Sequence, residues 1–217
     1  MIKTFFNTLS TVFHPIFLPI LGLYFLFKLP ASSPSYIESS LFSVDEKIQY
    51  FSYFVFFILL IVAPGLSILI MYWNKLISSF KMETQIERAY ALGIMLMYAL
   101  FLYFILRNQF LESINYKYLL IYTFAITLTI TVSFILNFFV KVSLHAIGVF
   151  GLVGALVGYF NNQINYNILF LVFFILLAGI ISSGRIYLKS HKLPEVLLGM
   201  FVGFVIEFLC MKFGWFL

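Results

Sequence analysis

Three polar stretches of a chain that has few charges to place supply the candidates for chemistry: the histidines His145 and His191, the cations Lys81, Arg88 and Arg185, and the carboxylate Glu195. The first stretch, residues 74–88, reads NKLISSFKMETQIER and holds Lys81 and Arg88. The second, residues 141–145, reads KVSLH and holds Ser143 and His145. The third runs from Arg185 through His191 to Glu195, RIYLKSHKLPE. Gathered on one face, these types suit a phosphate group and its transfer. Arg and Lys neutralise nonbridging oxygens, one His attacks phosphorus, and the other protonates the departing oxygen. A carboxylate beside the attacking His fixes its tautomer and stabilises the cation that develops. Pro194 suits the first turn of a helix, where its missing N–H costs nothing, so the last apolar run begins there with Glu195 turned back toward His191.

The elements that must position these groups are membrane spans. Of the 217 residues 63% are hydrophobic and only 10% charged, with a mean hydropathy of +1.07, which no soluble domain of this size shows. Seven apolar runs, residues 12–27, 50–73, 89–106, 118–140, 146–160, 168–182 and 195–211, approach or meet the length needed to cross about 30 Å of hydrocarbon. The expectation is an all-α, polytopic transmembrane helical bundle of six to seven spans, a single integral membrane domain over residues 1–217. The three polar stretches are separated from one another by two spans each, so they share one side of the membrane.

Local signals refine that frame. Pro64-Gly65 predicts a kink in the second run. Gly148, Gly151, Gly154 and Gly158 have the small-residue spacing that lets another helix approach closely. Residues 28–49 read as a solvated turn. Ala31 and Ser33 have the small-residue spacing of a leader-peptide cleavage site, but Pro34 would follow the cut and disfavours it. The net charge of +5 is spread over short loops, which argues against a nucleic-acid surface, and the single Cys210 excludes an intrachain disulfide framework. Lysines and arginines other than Lys81, Arg88 and Arg185 divide evenly, five to each face, so the positive-inside rule does not orient the chain.

In their internal spacings the three stretches resemble the signatures of the type 2 phosphatidic acid phosphatase superfamily, KxxxxxxRP, PSGH and SRxxxxxHxxxDxxxG. Here they read Lys81-METQIE-Arg88-Ala89, Val142-Ser143-Leu144-His145 and Gly184-Arg185-IYLKS-His191-KLP-Glu195-VLL-Gly199. Ala89 and Val142 stand in place of prolines, Leu144 in place of a glycine and Gly184 in place of a serine, with Ser183 adjacent. Glu195 replaces an aspartate. The resemblance implies a phosphatase that needs no metal and no cofactor. His191 is its expected nucleophile, Glu195 the orienting partner of His191, and His145 the general acid and then base. Lys81, Arg88, Ser143 and Arg185 are expected to hold the phosphate. The implied partners are a lipid phosphate substrate and membrane lipids. The implied location is a bacterial inner membrane, with the site facing away from the cytoplasm.

Two other readings use the same residues. His145, His191 and Glu195 are a possible zinc or iron ligand set, although the surrounding cations repel a metal. A non-catalytic anionic-lipid binder or transporter would keep the cationic pocket but has no use for a nucleophile. His14, beside Pro15 in an apolar run, reads as a packing residue. Glu207, inside the last span, has no partner that spacing alone can name.

Overall fold

Backbone N–H and C=O groups in hydrocarbon have no solvent to bond, so each apolar run closes its own groups into helix. The computed structural model describes residues 2–32, 40–80, 82, 84–110 and 116–214, and its described elements are all helical. We number them α1 (Ile2–Val12), α2 (Leu18–Lys28), α3 (Glu46–Trp73), α4 (Gln85–Phe110), α5 (Lys117–Asn137), α6 (Leu144–Asn161), α7 (Ile168–Tyr187) and α8 (Leu193–Phe213). The six from α3 to α8 are long and apolar enough to cross a membrane, which marks the chain as an integral membrane protein.

The first expected span takes a different form. Pro15 disfavours helix at His14, and the chain turns between α1 and α2 before Pro19 enters the first turn of α2. At 1.5 Å per residue α2 is only about 16 Å long. Leu29 then leaves the helix in an extended conformation ahead of Pro30. Ser32 exchanges backbone hydrogen bonds with Ile164, Ser32 N–H to Ile164 O at 3.0 Å and Ile164 N–H to Ser32 O at 2.7 Å. Ile164 lies in the turn between α6 and α7, at the end of the bundle opposite the three polar stretches. The run therefore still carries the chain from one end to the other, as a half-length helix with an extended tail.

The segment after it is less solvated than its composition implies. The proposed cut after Ser33 and the residue Pro34 lie outside the described residues. Ser40 Oγ donates to Ala31 O at 2.8 Å, Leu41 N–H donates to the buried Tyr159 hydroxyl at 2.8 Å, and Leu41 itself is fully buried. In α3 the irregularity precedes Pro64: residues Ile58–Val62 form a π turn, and Ala63 N–H reaches Ile58 O. A proline ring collides with the carbonyl four residues before it, and one wider turn relieves that collision without breaking the helix.

At the centre α6 packs on α8 at close range. A Cβ at Gly203 would strike Ile147 O, one at Gly154 would strike Phe204 O, and one at Gly158 would come within 2.7 Å of Phe208 O. The glycine spacing in α6 is thus matched by Gly199 and Gly203 on α8, and backbone meets backbone. This contact sets the separation of the second and third polar stretches, because α6 begins at one and α8 at the other.

Candidate active site

Each stretch is held by local bonding before it meets the others. At the start of α4, Thr84 and Glu87 form a reciprocal cap: Glu87 N–H donates to Thr84 Oγ1 at 3.2 Å and Thr84 N–H to Glu87 Oε2 at 3.3 Å. Glu87 Oε1 also accepts from Ser78 N–H, which ties the preceding loop to the helix. Arg88 follows directly. Asn137, at the end of α5, donates to Gln85 O at 2.9 Å and accepts from Gln85 Nε2 at its own carbonyl at 2.8 Å. Its Oδ1 accepts from Arg88 Nε at 3.0 Å, which fixes the plane of the guanidinium.

Ser143 is the N-cap of α6, its Oγ accepting from Ala146 N–H at 3.4 Å, and it is fully buried. Its own N–H donates to Glu195 O at 3.2 Å, so the second stretch is bonded to the third. The third stretch begins in the last turn of α7. After Leu188 the chain reverses through Lys189 in a left-handed conformation (φ 57°), and His191 N–H returns to Arg185 O at 3.4 Å. α8 then starts with Pro194 in its first turn, and Glu195 Oε2 accepts from Lys192 N–H at 3.1 Å.

That cap brings Glu195 Oε2 to 3.0 Å from His191 Nδ1, which also lies 3.2 Å from Lys141 O. Both neighbours of Nδ1 are acceptors. The nitrogen must carry the proton, and Nε2 keeps its lone pair. Burial holds the His191 pKa below its ordinary 6.5 and Arg185 lowers it further, while the bond to Glu195 acts in the opposite sense. The His145 ring, in the first turn of α6, has Nε2 at 3.0 Å from Ser10 O at the end of α1; a carbonyl only accepts, so His145 Nε2 is protonated.

Arg88, His145, Arg185 and His191 line one cavity of about 420 Å³. Arg185 Nε is buried with no hydrogen-bond partner, and no carboxylate pairs with this guanidinium among the described residues. Burying an unpaired cation is costly, so the position calls for an anion. Ser143 is not among the lining residues, its hydroxyl being engaged in the cap, and Lys81 lies outside the described residues. No group of three His, Cys, Asp or Glu side chains is placed to hold a metal among the described residues.

Residues 133–217 match the family model of the PAP2 superfamily. They form a PAP2 superfamily domain. Members of the superfamily are typically phosphatases. The PAP2 domain includes the second and third polar stretches, from Ser143 through Glu195, and leaves out the first, so Arg88 reaches the cavity by tertiary structure from outside the matched region. No curated protein and no solved structure matches the chain.

Two contributors escaped the sequence reading. His14, read as packing, lines the cavity with its ring centroid 5.5 Å from that of His145, the planes near perpendicular. Its Nδ1 accepts weakly from Ile16 N–H at 3.4 Å, and desolvation followed by Arg185 lowers its pKa. The usable signal was the count: the chain has only three histidines, and a His before Pro in a membrane protein is an uncommon place for one. Phe6 of α1 is the other. A Cβ at Gly184 would come 2.5 Å from its ring, which explains why no serine side chain stands there.

Proposed function

We propose that the protein is a metal-independent lipid phosphatase that works through a phosphohistidine. The observation that carries this reading is His191, with Nδ1–H on Glu195 and Nε2 unprotonated, in the same cavity as the unpaired Arg185. Phosphate oxygens would sit against Arg185 and Arg88, with Lys81, seven residues before Arg88 in the sequence, a further cation. The His191 Nε2 lone pair attacks the terminal phosphorus, and the bond from that phosphorus to the leaving oxygen breaks, the lipid's own oxygen in a monoester or the bridging oxygen in a diphosphate. Glu195 stabilises the imidazolium as it forms. His145, doubly protonated once the phosphate anion is in the cavity, gives the leaving oxygen its Nδ1 proton, since Ser10 O holds its Nε2–H, and the first product is a lipid alcohol from a monoester or a lipid monophosphate from a diphosphate. His145 then takes a proton from water, whose oxygen attacks the phosphohistidine, releasing inorganic phosphate and restoring His191.

In this reading Ser143 contributes chiefly by capping α6, which presents His145, and meets phosphate only if that cap opens. The substrate is a phosphomonoester or diphosphate of a lipid, since the cavity lies at the end of a bundle whose flanks are apolar.

The test is phosphate release by the purified protein from phosphatidic acid, phosphatidylglycerophosphate, undecaprenyl diphosphate and a lipid A phosphate, with and without EDTA. Release unaffected by EDTA is expected. Loss of turnover in EDTA, restored by zinc or magnesium, would refute the metal-free mechanism. Tight binding of these lipids with no phosphate release would instead make the protein an anionic-lipid binder or transporter.

A further inference from the structure

Helix α1 enters the chemistry above through a single backbone oxygen, that of Ser10. Its eleven residues, at 1.5 Å each, make about 16 Å, too short to cross about 30 Å of hydrocarbon. Three faces run along it. Phe6, Leu9, Ser10 and, one residue past the helix, Phe13 turn to the bundle: Ser10 is buried, Leu9 and Phe13 pack on the core, and Phe6 lies against Gly184. Lys3, Thr4, Asn7, Thr8 and Thr11 are all exposed and make a polar face from one end of the helix to the other. Ile2, Phe5 and Val12 are 58%, 54% and 61% exposed, yet they are apolar. Phe5 and Val12 are seven residues apart, so 3.6 residues per turn put them on one edge, away from the threonines. A helix that passed from water into hydrocarbon would be polar at one end and apolar at the other. Here both characters recur along the whole length, so the water–lipid boundary follows the helix axis.

The neighbouring helix fixes the level. On α7 Phe173, Leu176, Ile180 and Tyr187 are exposed in one stripe, which ends in a ring with a polar tip suited to the headgroup level. The Phe6 ring centroid is 5.2 Å from that of Tyr187. We propose that α1 lies in the plane of the membrane surface with Ile2, Phe5 and Val12 in lipid, and that this seating holds Ser10 O on His145. The partner of the exposed apolar edge is the lipid surface. Ser10 O stands in the last turn of α1, where carbonyls lack a donor from their own helix, and it takes the His145 Nε2–H at 3.0 Å. That bond is what reserves Nδ1 for the transferred proton, a consequence that rests on the phosphatase reading. If α1 leaves the surface the acceptor leaves with it, and both tautomers open to His145.

The seating is tested on the full chain in liposomes of phosphatidylethanolamine and phosphatidylglycerol, with nitroxide labels on Thr4→Cys, Phe5→Cys, Thr8→Cys and Val12→Cys in turn. Oxygen, which concentrates in lipid, should relax the labels at Phe5→Cys and Val12→Cys more strongly. A water-soluble nickel chelate should favour those at Thr4→Cys and Thr8→Cys. All four favouring nickel would put α1 in water, and all four favouring oxygen would put it within hydrocarbon; either overturns the inference. The link to His145 is read by NMR of protein carrying ¹⁵N-histidine in the same liposomes. The wild type should show His145 as one tautomer, protonated at Nε2. Phe5→Asp with Val12→Asp, which makes the edge costly to seat, should lose that single tautomer, and Phe5→Leu with Val12→Leu should keep it. A His145 tautomer unchanged in the double aspartate variant overturns the link. Labels that follow the expected order in a protein that releases no phosphate from any lipid would overturn the phosphatase reading and leave the seating of α1 standing.

Discussion

At the level of single residues, the division of labour between the histidines is the testable core of the mechanism. His191 makes the covalent bond, so His191→Ala should abolish both turnover and any acid-labile phosphoenzyme trapped by rapid quench. His145→Ala should still allow phosphorylation when the leaving group is good enough to depart without a proton. Glu195→Gln keeps a hydrogen-bonding group of similar size at Nδ1 but removes its charge. Binding should persist while turnover falls by roughly 10²–10⁴-fold, the usual range for a lost acid–base partner. Label retained in His191→Ala would reassign the nucleophile.

The pH profile belongs to the same scale. A neutral His191 is the reactive form, and burial sets its pKa below 6.5. As pH falls through 6.5 an ordinary histidine would already be half protonated, yet His191 should still carry its lone pair. The acid limb of kcat/KM should therefore lie below pH 6.5, and a rate halved at or above that pH would contradict the burial argument.

Among the elements, the α6–α8 contact holds the second and third stretches in register. Gly203→Ala drives a methyl into Ile147 O, which is backbone and cannot rotate aside. The helices must separate, at a cost of about 1–3 kcal/mol. Because Ser143 N–H bonds to Glu195 O across the same contact, activity should fall along with thermal stability. Gly179→Ala in α7 is the control, since no atom lies within 4 Å of the added Cβ. It should be neutral or stabilise by about 0.5–1 kcal/mol through helix preference. Equal effects of the two substitutions on melting temperature in detergent would mean that the close packing does not position the site.

For the whole molecule, the prediction is topological. Ser190 lies with the site, whereas Asn165, whose Nδ2 donates to Ser32 Oγ at 3.2 Å, lies at the opposite end of the bundle. Cysteines placed at these two positions should react with an impermeant thiol reagent from opposite sides of a sealed vesicle. The buried native Cys210 leaves little background. Labelling of both from one side would break the arrangement in which every catalytic group shares one face.

Much of this arrangement is written in the local sequence. Apolar run length forces helices in hydrocarbon, alternate crossings put three polar stretches on one side, and Pro194 with Glu195 four residues after His191 closes the His–Glu pair within a single helix start. These are short-range consequences of residue type and spacing. The rest depends on contacts between segments far apart in the chain, which spacing does not encode. Asn137 orients Arg88 across 49 residues, Ser10 accepts the His145 proton across 135, and the turn at Pro15 brings His14 over His145. The half-length α2 reaches the far end of the bundle because Ser32 finds its backbone partner at Ile164, across 132 residues. Glu207 likewise has no meaning in the sequence beyond an acid in an apolar run. It is buried where α5 sets Thr129 against it and where a Cβ at Gly151 of α6 would come 3.4 Å from its Cγ, with one oxygen left without a partner among the described residues.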